Sequence, residues 1–318
     1  MNPNLFQQSR IFVTGHSGLL GSSLVRELKK QGYSNLITVS RSELDLCDLG
    51  STKKFLQKMK PDAVISCAAK VGGIKANSNY PAEFIRDNLL IETSVIEASY
   101  SAGVRQLVFV SSSCVYPKDC PQPMNEGFLQ AGPVEDTNYA YAQAKLAGMS
   151  MCRAYSEQYG LRYFSVIPAS LYGPNDNFDL ESSHVLPALI HRFHIAREQN
   201  QPEINLWGSG KPRREFMYVD DGARAIILAL QKYSQLEALN IGTGEDCEIR
   251  EVAEIIKGVV GYKGQIKFDS TKADGILRKL VDSTKISNLG FKTQISLLEG
   301  IKSTYDWFCL EKHVRGKS

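Results

Sequence analysis

Between Arg10 and Pro168 short β-branched and aromatic runs alternate with longer segments of helical period. They read RIFVTG, Leu19–Gln31, NLITVS, Ser51–Met59, DAVIS, Pro81–Ser101, QLVFVSS, Asn138–Gln158 and YFSVIP, which closes on Pro168. Strands separated by helices are joined by crossovers, so the rhythm predicts βαβ units and a doubly wound α/β fold around a parallel sheet. After Pro168 the rhythm breaks. ASLYGPNDNFDLESSH is rich in Gly, Pro and Asn and reads as a functional loop rather than an element. A helix is expected from His184 to Glu198, and EFMYVDDGARAIILAL reads as a strand and helix that return to the first domain. Ile249–Val260 and Ser296–Leu310 read as amphipathic helices of a smaller second domain.

The first strand runs directly into TGHSGLLGSSLV, which places Gly15, Gly18 and Gly21 at the mouth of the first helix. Glycines there permit a tight turn and bring backbone N–H groups at the positive helix end close to a pyrophosphate. The G-x-x-G-x-x-G spacing differs by one residue from the commoner dinucleotide fingerprint, and its place between strand and helix gives it meaning. The predicted architecture is a Rossmann domain over residues 1–167, rejoined by about 218–242. A smaller interleaved α/β substrate domain covers 168–217 and 243–318, with ligands in the cleft between. The second strand ends at Ser40-Arg41, where an NAD enzyme usually offers a carboxylate to the ribose. Arg41 suits a 2′-phosphate, so NADP(H) is preferred over NAD, the other reading being a solvated surface charge. Asp45 and Leu46 follow at an expected adenine-binding edge.

Composition narrows the partners. A net charge of +3 with no single-sign block gives no reason to expect nucleic acid or an anionic membrane. No stretch nears the roughly 18 apolar residues of a membrane span, and MNPNLFQQSR lacks an apolar signal core. The seven cysteines form no CxxC pair, which fits a reducing compartment, and the expected location is cytoplasmic.

YAYAQAK sets Tyr141 and Lys145 four apart, on one face of the predicted helix. A nearby ammonium favours phenolate and brings a tyrosine within reach of acid–base work. Cys114, in SSSCVYP at the end of a buried strand, is either a small core hydrophobe or a reactive thiol. His191, His194 and Glu198 share helical spacing, but the same spacing describes a solvated stripe, and no metal is expected.

With these stretches in place, the chain resembles the extended short-chain dehydrogenase/reductases, and within them the branch that epimerises and reduces GDP-4-keto-6-deoxy-mannose. GHSGLLGS, AAKVGGIKAN, SSSCVYPK, YAYAQAK, LYGPNDNF, SHVLPALIHRFH, WGSGKPRREFMYVDD and KADGILRKLVD carry the likeness through nearly the whole chain. The resemblance implies that Ser112 and Tyr141 hold the keto oxygen, that Tyr141 protonates it, and that Lys145 grips the nicotinamide ribose. It makes Cys114 the base at sugar carbons 3 and 5 and His184 the acid on the opposite face. It adds Ser17, Leu19, Leu20, Ala68, Ala69, Lys145, Pro168, Leu171 and His184 to the cofactor-binding set. It assigns the GDP-sugar to Arg192, Trp207, Arg214 and Lys279, leaves Lys211 and Arg213 as candidates for a solvated turn, and implies a homodimer built on Pro81–Ser101 and Asn138–Gln158.

Four departures from the branch pattern stand out. Ser170 replaces a usual Asn, Ser17 an Arg that some members carry, and Ala273 and Leu277 common prolines, while YAYAQAK differs mildly before its tyrosine. Ser170 leaves open a relative acting on another GDP-4-keto sugar, of colitose or heptose type. A non-catalytic NADP-binding scaffold is the remaining reading, and the intact Ser112, Tyr141 and Lys145 argue against it.

Overall fold

The structure, a computed structural model, describes residues 7–272 and 274–315. The first six residues of the N-terminal segment and the departure at Ala273 therefore lie outside the described residues.

The central layer is a six-stranded parallel sheet. Its strands are β1 (Ile11–Thr14), β2 (Leu36–Ile37), β3 (Ala63–Ser66), β4 (Gln106–Val110), β5 (Arg162–Pro168) and β6 (Leu239–Ile241), in the order β6-β5-β4-β3-β1-β2. β1, β3 and β4 are buried along their whole length, as both-face coverage by helices requires. The helices α1 (Leu19–Lys30), α2 (Leu49–Met59), α3 (Pro81–Ser101), α4 (Tyr139–Tyr159) and α5 (Val219–Lys232) cover it. α2 packs on α3 and α3 on α4, while α1 and α5 pack together. β1 lies between β2 and β3, so the crossovers diverge there and leave a crevice at the carboxyl ends of both strands.

Three expectations change. The strand that returns to the sheet is β6, in register with Val166–Pro168, and it follows α5 rather than preceding it. Phe216–Tyr218 instead pairs with Ser170–Tyr172 in a separate two-stranded sheet, so the segment expected to be only loop opens with a strand. The Gly, Pro and Asn content that signals a loop begins after Tyr172. NLITVS also pairs over Leu36 and Ile37 alone, because only these two residues have a partner on β1.

The rest of the chain builds a second apolar cluster, in which Phe193, Val252, Ile256 and Ile301 are fully buried. Helix α6 (Val185–Glu198) packs there on α7 (Ile249–Val260), beside α8 (Leu297–Arg315). α7 starts with a reciprocal Glu248–Glu251 capping box and stops at Gly261, whose φ of 78° is left-handed. Three short strands, Arg213–Arg214, Cys247–Glu248 and Arg278–Lys279, form the sheet nearest the site. Glu215, buried between them, accepts from the backbone N–H groups of Thr243, Gly244 and Val281 at 2.6, 2.8 and 2.9 Å. That carboxylate ties the exit of β6 to the last strand.

Candidate active site

The glycine turn is built as the sequence predicts. Gly15 has φ 65°, and a side-chain carbon there would stand 3.0 Å from the backbone of Ala68. Gly18 donates to the Gly15 carbonyl at 3.0 Å and begins α1 with no side-chain cap and no acidic residue in the first turn. The free N–H groups of that turn and its partial positive charge suit an anion. Ser17 is exposed, and Leu19 and Leu20 are half-buried at the start of the helix. Thr14 Oγ1 accepts from the backbone N–H groups of Cys67 and Ala68 at 3.0 and 2.9 Å, which fixes Ala68 and Ala69 against the same turn. The residues present fit a dinucleotide: glycine backbone where a side chain would collide, an uncapped helix end, and small residues opposite.

At the end of β2, Arg41 is exposed and makes no hydrogen bond or ion pair among the described residues. Its neighbour Ser40 donates through N and Oγ to Glu43 at 2.9 and 2.6 Å, which shapes the turn that presents the guanidinium. Asp45 accepts from the Cys47 N–H at 3.0 Å, and Leu46 is half-buried beside it.

Beyond β4 the chain enters a single 3-10 turn, Ser113–Val115, with Ser112 as its cap. Ser112 Oγ accepts from the Cys114 N–H at 3.5 Å, so hydroxyl and thiol are neighbours. Cys114 is 6% exposed and packs into the core. Burial pushes its thiol up, while Ser112, Lys279 and Lys145 pull it down. Both readings of this cysteine thus have a physical basis: it is packed, yet two ammonium groups face it.

Tyr141 and Lys145 lie on one face of α4, with the Lys145 Nζ 5.8 Å from the Tyr141 ring centre. Lys145 is almost fully enclosed: it donates to the Val110 carbonyl at 3.1 Å, stands 4.7 Å from the Phe109 ring centre, and pairs with Glu92 at 3.0 Å. The expected easing of the tyrosine is not seen. Burial first, then Cys114 and Glu92, raise the Tyr141 phenol well above its ordinary value, because desolvation and two groups of anionic tendency outweigh the ammonium. Glu92 had no place in the sequence reading. Its signal was an acidic residue on the helix face that also carries Asn88, Val95 and Ile96, a face that α3 buries.

His184 caps α6 without a side-chain cap bond. Its surface is open to solvent, yet the protein crowded around it desolvates the imidazole and lowers its pKa. Pro168 ends β5, Leu171 is half-buried, and Ser170 is exposed. The loop that follows is pinned to the cofactor end, since Asn175, at φ 66°, donates to Ser22 on α1 at 3.1 Å. Asp176 accepts from the Asn177 N–H at 2.7 Å, and its other oxygen is buried without a hydrogen-bond partner, which pushes the carboxyl up to about 7.

The residues expected to bind the GDP-sugar lie on separate elements. Arg214 and Lys279 are register partners in the small sheet, and both are held below their ordinary basicity by burial. The Arg214 guanidinium donates to the Arg213 carbonyl at 2.8 Å, and the Lys279 ammonium has no hydrogen-bond or ion-pair partner among the described residues. Arg192 is exposed on α6, and Trp207 is 70% exposed with Lys272 over its ring. Asp274 accepts from Ser209 N and Oγ at 2.8 and 2.6 Å and so clasps the KADG loop to the WGSG turn. Arg213 is no solvated turn residue: it pairs with Asp246 at 2.7 Å, and Arg278 pairs with the other oxygen of the same carboxylate. Among the described residues no cluster of three His, Cys, Asp or Glu side chains is placed to hold a metal. The two helix histidines engage the Phe178 carbonyl and the Tyr305 hydroxyl at 2.7 and 3.0 Å.

A glycine turn at the crevice of a doubly wound sheet, with serine, tyrosine and lysine beside the neighbouring strand ends, defines a dinucleotide-binding α/β enzyme. The pattern of the NAD dependent epimerase/dehydratase family matches residues 11–242, and the chain belongs to that family. It is 49% identical over 302 residues to GDP-L-fucose synthase 1 of Arabidopsis thaliana, covering 95% of this chain and 94% of that one. A GDP-L-fucose synthetase from Naegleria fowleri bound to NADP superposes with a TM-score of 0.90 at 33% identity, covering 98% and 95%. A GDP-6-OMe-4-keto-L-xylo-heptose reductase from C. jejuni superposes with a TM-score of 0.91 at 34% identity, covering 97% and 99%.

Proposed function

We propose that the protein carries out NADPH-dependent 3,5-epimerisation and 4-keto reduction of GDP-4-keto-6-deoxy-D-mannose to GDP-L-fucose. The observation that carries this reading is the placement of Cys114 beside Ser112 just after β4, within electrostatic reach of Tyr141, Lys145 and Lys279, because a plain reductase has no use for the thiol. The kinship with the plant fucose synthase supports the same assignment.

Gly15, Gly18, Gly21 and the head of α1 receive the pyrophosphate, with Arg41 toward the 2′-phosphate. NADPH supplies the hydride. Ser112 and Tyr141 hold the keto oxygen, and the same two groups stabilise the enolate when a neighbouring C–H is deprotonated. Cys114 takes the proton, with the ammonium groups of Lys279 and Lys145 favouring its thiolate. His184 returns the proton from the other side, suited to the task by an imidazole that gives up protons readily. Tyr141, kept protonated by its surroundings, is the acid that completes the alcohol. Arg192, Trp207, Arg214 and Lys279 receive the nucleotide diphosphate.

In this reading residues 1–167 and 218–242 form the cofactor domain, and the remaining segments form the substrate domain. The protein works in the cytoplasm as a homodimer through α3 and α4, where Leu90, Tyr100 and Tyr159 are exposed. The exposed Ser170 favours one second reading, a related GDP-4-keto sugar of colitose or heptose type.

The test is incubation with GDP-4-keto-6-deoxy-mannose and NADPH in heavy water. Deuterium at sugar carbons 3 and 5 with NADPH consumed is the expected result. Oxidation without label leaves a plain reductase, and no turnover of this sugar favours the second reading.

A further inference from the structure

A charge without a counter-charge is costly inside a protein, and a lysine enclosed alone tends to give up its proton. Lys145 is 2% exposed at its side chain, and so is Glu92, reaching it from α3. An ammonium has three N–H donors. Lys145 donates one to the Val110 carbonyl at 3.1 Å, and its ammonium forms an ion pair with Glu92 Oε1 at 3.0 Å. Gly148, one turn beyond Lys145, makes room for this arrangement: a side-chain carbon there would lie 2.8 Å from Glu92 Oε2 and 2.5 Å from Phe109 Cζ. Neither oxygen of Glu92 has a hydrogen-bond partner, so the ion pair with Lys145 is what compensates the buried carboxylate among the described residues.

We propose that Glu92 is a positioning residue of the active site, the buried counterion that keeps Lys145 an ammonium and holds it in place beside the crevice. The inference rests on the reading of Lys145 as a working ammonium, and it concerns a residue that touches neither sugar nor cofactor. The other titratable groups facing the pair are Tyr141 and Cys152 on α4, Cys67 after β3, and Cys114 after β4 with Lys279 beyond it. None of them is a carboxylate, so among the described residues no other group replaces Glu92. Burial pushes the Glu92 carboxyl up and Lys145 pulls it down, the mutual dependence expected of an enclosed pair.

The test is Glu92→Gln, read in the substrate-free and cofactor-free protein by NMR of lysine labelled at the ε-carbon, with the Lys145 signal assigned through Lys145→Met. Without its counterion Lys145 is expected to lose its proton at least about two pH units lower than in the parent. The alkaline limb of NADPH-dependent turnover is expected to move down with it. Glu92→Asp, which restores the charge, is expected to return both toward the parent. An unmoved Lys145 titration in folded Glu92→Gln overturns the proposal whatever the substrate proves to be. Should Glu92→Gln fail to fold, the double variant Glu92→Gln/Lys145→Met removes both charges. Recovery of folding supports the pairing, and failure to recover overturns it.

Discussion

A side-chain carbon on Gly21 would lie 2.1 Å from the carbonyl oxygen of Gly15, inside any allowed contact. The turn closes only because both positions lack a side chain, and backbone has no rotamer by which to yield. Gly21→Ala is therefore expected to cost about 3 kcal/mol of stability and to abolish measurable NADPH binding. Urea unfolding and NADPH fluorescence titration measure the two losses; retained binding would show that the turn is not the phosphate cradle.

Arg41 stands exposed at the end of β2 with its guanidinium uncommitted. Arg41→Ala is expected to weaken NADPH binding roughly ten- to a hundredfold, the worth of a charge-assisted fork on phosphate. NADH binding should be unchanged. Equal weakening of both cofactors would place the arginine elsewhere than on the 2′-phosphate.

Cys114 and Tyr141 divide the proposed chemistry. Cys114→Ser replaces a thiol with a far weaker acid and should lower deuterium exchange at carbons 3 and 5 roughly a hundredfold or more. Tyr141→Phe should chiefly stop NADPH oxidation. Parallel loss of both steps in both variants, followed by mass spectrometry and absorbance, would contradict the division.

Asp176 is raised to about 7 in the folded protein, far above the unfolded value. Between those two values the folded state holds a proton that the unfolded state has released, so stability falls as pH rises from about 4 to 7. Asp176→Asn removes the titration and is expected to flatten this slope. The gain at pH 8 should be about 2 kcal/mol, discounted because the residue is partly open to solvent. Denaturant midpoints across that pH range provide the measurement, and a slope unchanged in the variant would show that Asp176 does not titrate there.

Gly148 packs against Phe109 and Glu92 within the α3–α4 contact. Gly148→Ala forces both side chains aside and should destabilise the fold by about 1–3 kcal/mol. Thermal unfolding measures the change, and a neutral or stabilising result would mean that the helices separate freely at this point.

What the sequence disclosed follows from the range of the forces involved. The glycine turn, the Tyr141–Lys145 pair and most helices were legible because helical period and turn geometry are local properties. α3 was expected and found over the same residues, Pro81 to Ser101, since a proline starts it and a continuous helical pattern carries it through. The short strands were not. Ser170–Tyr172 and Phe216–Tyr218 become strands only by finding each other across more than forty residues, and Leu239–Ile241 only by reaching β5. Glu92 and Glu215 were hidden for the same reason. A buried carboxylate looks like a surface one until its partners are known: Lys145 for one, three backbone N–H groups for the other. The acidity of Tyr141 was misjudged because four-residue spacing discloses the neighbouring ammonium but not the desolvation around both.

The position of Leu239–Ile241 beside Val166–Pro168 has a consequence for biosynthesis. A nascent chain that has emerged through Pro168 holds five strands of the sheet with the free side of β5 bare, and it must extrude some seventy more residues before that side is sealed. An unpaired apolar edge is a template for association with other chains. Ribosomal pauses or premature stops between these two segments thus leave an edge of the sheet open to association, and the few residues of the last strand cover it.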